Sequence, residues 1–330
     1  MDKPGQSNKD LTSLSSNELS SLFSSIRDSE ELEGGILQLP EHPPMNQERK
    51  IEWAAKRMEE IFDYTGHKGI VPIKEVENVV MPVIKQAADI PHLYHLFYEL
   101  KTKDEYTYQH TVAVGIIASL IGKWLNLQDS DLKELALGAT LHDIGKAKIP
   151  SQILNKPGKL TKEEYQEMKR HTLYGYELLK DIPGLDKRIP RIALQHHERE
   201  DGGGYPIGLH GKNIDLMAKI VAIADVFHAM SSTRVYREAE PFHLVIDQMQ
   251  NDVFGKFDPK IMWIFLYRMM LSLVGRKVLL SNGEAGSILM VDQYEPLRAL
   301  VRTGKGLVDL RFKRDVRIER ILKEEDEPAY

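Results

Sequence analysis

Five histidines and two aspartates in the middle of the chain have the types and the order of a metal-binding set: His110, His142 and Asp143, His171, His196 and His197, and Asp225. Imidazole nitrogen and carboxylate oxygen are ligands of first-row transition ions. Each residue or pair falls in its own stretch of helical periodicity, and most sit on the apolar side of it. A helix bundle can carry such residues to one point, where they would bind metal.

Each residue also has a plainer reading. His110 shares a face with Ala113, Val114, Ile117 and Trp124, so it points inward, as would a core histidine bonded to a carbonyl. The pair His142-Asp143 ends an apolar helix, and Lys146 follows one turn later, facing the same cleft with a cation for phosphate or simply solvated near a helix C-terminus. His171 lies on the stripe of Met168, Gly175 and Leu178; His196 extends that of Ile189, Ile192 and Ala193. His197 beside it allows chelation of one ion by both rings, or one buried ring and one exposed. Asp225 sits in a helix that is apolar nearly all round, where a carboxylate needs a metal or an arginine.

Seven such ligands exceed one tetrahedral or octahedral shell once a water is included. They suit two ions bridged by Asp143 and a hydroxide, drawn from Fe, Mn, Zn, Ni or Co rather than Mg or Ca alone. A two-ion site of that kind suits phosphoester hydrolysis, because the metals make the nucleophile and offset the developing oxyanion charge.

The motifs carry a resemblance. Tyr106-Thr107-Tyr108-Gln109-His110, His142-Asp143-Ile144-Gly145-Lys146, His171-Thr172-Leu173-Tyr174-Gly175 and His196-His197-Glu198-Arg199-Glu200-Asp201-Gly202-Gly203-Gly204-Tyr205-Pro206 are similar to the HD-GYP family. Ala224-Asp225-Val226-Phe227, Arg234-Val235-Tyr236-Arg237 and Phe257-Asp258-Pro259 continue it in order, over about two-thirds of the chain. The long HHExxDGxGYP element is specific; the HD dipeptide alone is not. The resemblance implies an all-helical hydrolase that opens the second messenger cyclic di-GMP to linear pGpG and, in some relatives, GMP. It implies that His110, His142, Asp143 and Asp225 hold one ion, and Asp143, His171, His196 and His197 the other, with Fe or Mn favoured. Lys146, Arg234 and Arg237 match positions that bind substrate phosphates, and Gly204, Tyr205 and Pro206 shape a loop beside the site; on physics alone the glycines serve a tight turn equally well. Three positions depart from the family pattern: Tyr106 stands where relatives with a third metal have Glu, His228 where many have Asp, and Val235 replaces a Pro. Two metals rather than three are therefore expected. A hydrolase of another cyclic dinucleotide fits the same motifs. A silent nucleotide-sensing or interaction protein is disfavoured, since all seven family ligands are present.

The elements that must position these residues are helical. The expected fold is mainly α, an HD-type helical bundle with a small C-terminal β subdomain and a disordered N-terminal tail. Residues 1–47, rich in Ser, Asn, Glu and Pro, read as a flexible tail with one short helix at Ser16–Ile26. Residues 48–100 read as an N-terminal helical region, 101–274 as the HD-GYP catalytic domain, 275–322 as the β subdomain and 323–330 as a C-terminal tail. Within the catalytic region Ser130 is expected to cap the second helix, Thr161 and Glu164 to form a capping box, and Pro190 and Pro259 to stand near helix starts. Strands are expected at Lys277–Ser281, Glu284–Asp292, Leu297–Arg302, Leu307–Phe312 and Val316–Ile321, with a hairpin turn at Asn282-Gly283.

Composition removes other classes. With no cysteine in 330 residues, disulfides, thiolate zinc sites and cysteine nucleophiles are excluded. A net charge of −5 disfavours bulk nucleic-acid binding but leaves room for a small anion held by local cations. The longest apolar runs, residues 111–122 and 261–275, fall short of the roughly 20 residues of a spanning helix. No secretory signal is visible, so a cytoplasmic protein without membrane contact is expected. Its partners would be a cyclic dinucleotide, a diguanylate cyclase or other signalling protein, and a second copy of itself in a homodimer.

Overall fold

Two helices run apolar on nearly every side, and the rest of the bundle is arranged around them. The computed structural model describes residues 46–89, 106–231, 244–246, 248–249 and 255–322. The expected helix at Ser16–Ile26 lies outside those residues, as do Arg234, Val235 and Arg237. In chain order the helices are α1 (Asn46–Lys68), the short α2 (Ile73–Glu75) running through a π turn (Val76–Val80) into α3 (Met81–Ala88), α4 (Tyr106–Trp124), α5 (Asp129–Leu141), a 3-10 turn (Ile144–Lys148), α6 (Ser151–Leu154), α7 (Lys162–Lys169), α8 (His171–Leu179), α9 (Arg188–Gln195), α10 (Leu216–Ser231) and α11 (Pro259–Leu271). α1 opens at Asn46, inside the stretch expected as tail.

Val112, Ala113, Val114, Ile116, Ile117, Ala118 and Ile121 of α4 are completely buried, and so are Ile220, Val221, Ile223 and Ala224 of α10. A helix without a polar face must be wrapped on all sides. Accordingly α4 touches α1, α3, α5, α10 and α11. A closed ring of neighbours results: α4 on α5, the 144–148 turn following α5 and lying on α8, α8 on α9, α9 on α10, and α10 back on α4. Every sequence-predicted metal ligand belongs to this ring or lies within two residues of one of its helix ends.

One close approach sets the ring's geometry. A Cβ on Gly145 would lie 1.9 Å from the His171 carbonyl oxygen and 2.4 Å from the Gly175 nitrogen, so only glycine lets the 144–148 turn rest on α8.

The expected capping box is present: Thr161 Oγ1 accepts from Glu164 N at 3.2 Å, and Glu164 Oε2 accepts from Thr161 N at 2.7 Å. The expected Ser130 cap is not. α5 starts two residues earlier than a Ser130 cap would set it, its N-cap position is Gln128 with no side-chain bond, and Asp129 and Asp131 in the first turn complement the helix dipole instead. Asp258 caps α11 by accepting from Lys260 N and Ile261 N, with Pro259 at the first helical position.

The C-terminal sheet has five antiparallel strands, β1 (Lys277–Leu280), β2 (Ala285–Met290), β3 (Leu300–Thr303), β4 (Gly306–Asp309) and β5 (Ile318–Ile321), in the order β4-β3-β2-β1-β5. The Asn282-Gly283 hairpin is in place, with Gly283 at φ +83° and Leu280 N donating to Glu284 O. Strand three starts three residues later than expected, because Asp292 Oδ1 accepts from Tyr294 N and Glu295 N and holds that stretch in a turn. Val278, Leu280, Ile288, Val301, Val308 and Ile318 form a second core under this sheet, joined to Met270 and Leu273 at the end of α11. No helix among the described residues is long and apolar enough to cross a membrane.

Candidate metal centre

Helix ends, rather than helix middles, aim most of the imidazoles. His142 is the C-cap of α5, His196 the C-cap of α9, and His171 opens α8 one residue beyond Arg170, the C-cap of α7. The last carbonyls of a helix lack intrahelical donors. Each ring takes one of them: His142 Nδ1 lies 2.6 Å from Ala139 O, His171 Nδ1 2.8 Å from Met168 O, and His196 Nδ1 3.0 Å from Ala193 O. A carbonyl only accepts, so Nδ1 carries the proton in all three and Nε2 turns its lone pair inward. His110 is anchored differently, with its Nδ1 2.9 Å from Nδ1 of the buried His228.

Asp143 is the hub. Its Oδ2 lies 3.2 Å from His142 Nε2, 4.0 Å from His110 Nε2 and 2.5 Å from Lys146 Nζ. Its Oδ1 faces the other way, 3.3 Å from His171 Nε2 and 3.9 Å from His196 Nε2. Asp225 closes the ring, with Oδ1 3.0 Å from His110 Nε2 and Oδ2 3.9 Å from His197 Nδ1. All seven residues singled out in the sequence therefore converge. Six of them fall into two sets whose ligand atoms lie within 4.8 Å of one another, His110–His142–Asp143 and His171–His196–His197, and Asp225 reaches from one set to the other through its contacts with His110 and His197.

These residues fit a metal on physical grounds. His142 Nε2 and Asp143 Oδ1 are buried and make no hydrogen bond. Leaving such atoms unsatisfied costs about 1–3 kcal/mol each, and a cation on each side of Asp143 would satisfy them. Protonation states agree. Burial holds His171 down to about 4 and lowers His110, His196 and His197, in each case outweighing the nearby carboxylates. These rings are neutral near pH 7, as ligands must be. Burial is the largest effect on His142 and lowers it, but the charge and hydrogen bond of Asp143 together with the charge of Asp225 outweigh it, and the net shift is upward. Burial pushes Asp143 and Asp225 upward; Lys146 and His142 hold Asp143 well below the usual carboxylate range, and the hydrogen bond from His110 does the same for Asp225.

The centre opens on one side. His197 and Lys146 keep 26% and 23% of their side chains exposed, whereas Asp143 and His196 are closed off. Tyr205 stacks on His197 with ring centroids 4.7 Å apart, and Lys169 Nζ lies 5.6 Å from the Tyr205 centroid. Gly204 lets this loop fold back, since a Cβ there would lie 2.5 Å from Arg199 N. Pro206 ends the same motif, and near the motif's start stands a residue to which sequence reasoning gave no role. Glu198, buried next to the histidine pair, accepts from Ile207 N at 2.8 Å, Gly208 N at 3.0 Å and Leu209 N at 2.9 Å. Its signal was its place inside the motif; the three amides lie nine to eleven residues away and were not legible.

Residues 96–261, half of the chain, match the HD domain family. The chain belongs to that family. It is of the HD-GYP type expected from the HHExxDGxGYP block. This HD domain is similar to a cyclic di-GMP phosphodiesterase of Pseudomonas aeruginosa, 40% identical over 190 residues that make up 58% of this chain and 46% of the relative. It is similar also to the 3'3'-cGAMP-specific phosphodiesterase 3 of Vibrio cholerae, 37% identical over 158 residues, 48% of this chain and 34% of that one. The chain thus spans less than half the length of these relatives. Among solved structures, an HDG"Y"P protein from Bdellovibrio bacteriovorus has the same fold, with a TM-score of 0.55 at 20% identity over 76% of this chain and 80% of that one.

Proposed function

We propose that this HD domain is a metal-dependent phosphodiesterase that opens cyclic di-GMP to linear pGpG, with GMP as the product of a second cut. One observation carries the reading: the two oxygens of the buried Asp143 face two separate sets of imidazoles, a bridging arrangement for two divalent ions. His110, His142, Asp143 and Asp225 would hold one ion, and Asp143, His171, His196 and His197 the other. Iron or manganese suits this nitrogen and oxygen set best, and zinc, nickel or cobalt also fit. When bound, such a pair supplies the Lewis acidity that readies water for attack and offsets charge on the phosphate oxygens.

The chain's own side chains do the rest. Lys146 stands at the mouth with its ammonium on Asp143, where it can turn to a substrate phosphate. Arg234 and Arg237 follow the centre in sequence and are proposed as further phosphate contacts. Tyr205, held against His197 by the Gly204–Pro206 loop, walls one side and narrows the entrance to a flat, anionic substrate. Glu198 keeps that loop in place. In the cell we assign the protein to the cytoplasm, with a diguanylate cyclase or another signalling protein as partner and a homodimer as the assembly.

A second reading is hydrolysis of a different cyclic dinucleotide. The similarity to a 3'3'-cGAMP-specific relative favours it, and a metal-and-lysine centre reads phosphates rather than bases. Protein purified without oxygen, loaded with Mn²⁺ or Fe²⁺ and offered cyclic di-GMP and 3'3'-cGAMP, should release linear product from cyclic di-GMP faster. Faster cleavage of 3'3'-cGAMP moves the assignment to the second reading. Two bound ions with no cleavage of either substrate would make the domain a sensor.

A further inference from the structure

Four of the proposed ligand histidines have their Nδ1 atom tied to a named neighbour, and one tie is unlike the others. His142, His171 and His196 rest on the carbonyls of Ala139, Met168 and Ala193, which can only accept. His110 rests on His228, whose Nδ1 lies 2.9 Å away and can either accept or donate. Both rings are buried, at 4% and 3% exposure, and their centroids are 5.0 Å apart. Two facing ring nitrogens at that distance share one proton, so one ring is the donor and the other the acceptor.

The choice has a consequence on the far side of the His110 ring. If His110 donates from Nδ1, its Nε2 bears a lone pair directed between Asp225 and Asp143. If His228 donates, His110 Nε2 bears the proton and gives it to Asp225 Oδ1, 3.0 Å away. The two arrangements hold the same number of protons and the same heavy-atom positions. In one of them His110 is a ligand; in the other it is a hydrogen-bond donor to a second ligand.

We propose that His228 is the positioning residue that decides whether His110 can ligate, so that the His110–His142–Asp143 end of the centre is switchable while the His171–His196 end is permanently set. This rests on the proposed two-ion centre and deepens it. A carbonyl can only accept and holds its ring in the ligating tautomer, whereas the His110–His228 pair must first shift its shared proton before His110 can ligate, and residues behind a metal-bound histidine change metal affinity by about 10–100-fold. The ion at the His110 end is therefore the weaker and the more readily exchanged of the two.

The test uses the full chain labelled with ¹⁵N-histidine, stripped with chelator and then titrated with the diamagnetic ion Zn²⁺. Before zinc, His110 should carry its proton on Nε2 and His228 on Nδ1. After zinc, the His110 proton should move to Nδ1 and the His228 proton to Nε2, while His142, His171 and His196 keep Nδ1–H throughout. His228→Ala should lower the affinity of one Zn²⁺ site by about 10–100-fold and leave the other unchanged. His228→Asp, an obligate acceptor for the His110 proton, should restore that affinity or raise it. The proposal is overturned if the wild-type tautomers do not change on zinc binding, if His228→Ala binds both ions as the wild type does, or if His228→Asp matches His228→Ala. The wild-type spectra decide the matter even if a variant fails to fold. Wild-type protein that binds no zinc would instead remove the two-ion reading itself.

Discussion

The bundle and the sheet solve the problem of an interior in opposite ways. Beneath the sheet, Val278, Leu280, Ile288 and Val301 are completely buried, and the charged pairs, such as Arg311 with Asp292 and Asp309, stay partly in water. Inside the bundle, five histidines and two aspartates take up the space between α4, α5, α8, α9 and α10. Burying Asp143 at 2% exposure and Asp225 at 9% opposes folding unless each charge is matched. The difference separates their tasks. The sheet is held by hydrophobic area, while the bundle uses hydrophobic area elsewhere, along α4 and α10, to hold an interior that only a cation completes.

That contrast can be broken most severely at the hub. Asp143→Asn should cut turnover by on the order of 10³-fold or more and reduce bound metal, while the helical circular dichroism survives. A loss under tenfold would deny Asp143 its bridging place. The counterpart in the sheet is Ile288→Ala, which empties a fully buried position and should destabilise the protein by about 2–5 kcal/mol in chemical denaturation. Metal content per folded chain should not change; if it fell, the two cores would be coupled rather than independent.

Acid should sharpen the comparison, since the buried imidazoles lie in the bundle. His171 has a folded value of about 4 against 6.5 for the free side chain. Below 6.5 the unfolded chain takes up a proton that the folded chain refuses, so this contribution to stability falls as pH is lowered from about 6.5 toward 4. Each such group acts with at most about 1.4 kcal/mol per pH unit. His110, His196 and His197 are lowered too, and His142, being raised, opposes them. Chelator-treated protein should therefore melt at a lower temperature at pH 5 than at pH 7, with the helical signal leading. A melt that is flat across that range would contradict neutral buried imidazoles. The smallest effect is expected at Glu198→Gln, which weakens acceptance from three loop amides by about 1–3 kcal/mol. It should raise KM and leave bound metal unchanged; an unaltered KM would mean that the loop does not shape the entrance.

Much of this was legible from residue order. The apolar stretch of α10 announced a buried helix, Thr161 and Glu164 announced a capping box, and Asn282-Gly283 announced a hairpin; the structure has each of them. Those are local matters, settled by propensity and hydrogen bonding within a few residues. The failures were also local, but were decided by competition. Ser130 lost the cap of α5 because the acidic residues on either side of it stabilise the first turn, and β3 was delayed by the turn that Asp292 holds.

By itself the sequence determined the identity and order of the proposed ligands, the helical character of their surroundings and the chemistry such residues favour. Only the tertiary structure decided how they are shared out, with one oxygen of Asp143 toward each set, three imidazoles locked by helix-end carbonyls, and His110 placed against His228 across 118 residues of chain. The physical reason is that an imidazole's direction depends on what lies behind its other nitrogen. That neighbour is supplied partly by the ring's own helix end, which residue order encodes, and partly by distant helices, whose approach depends on packing such as the contact of Gly145 with the backbone of His171.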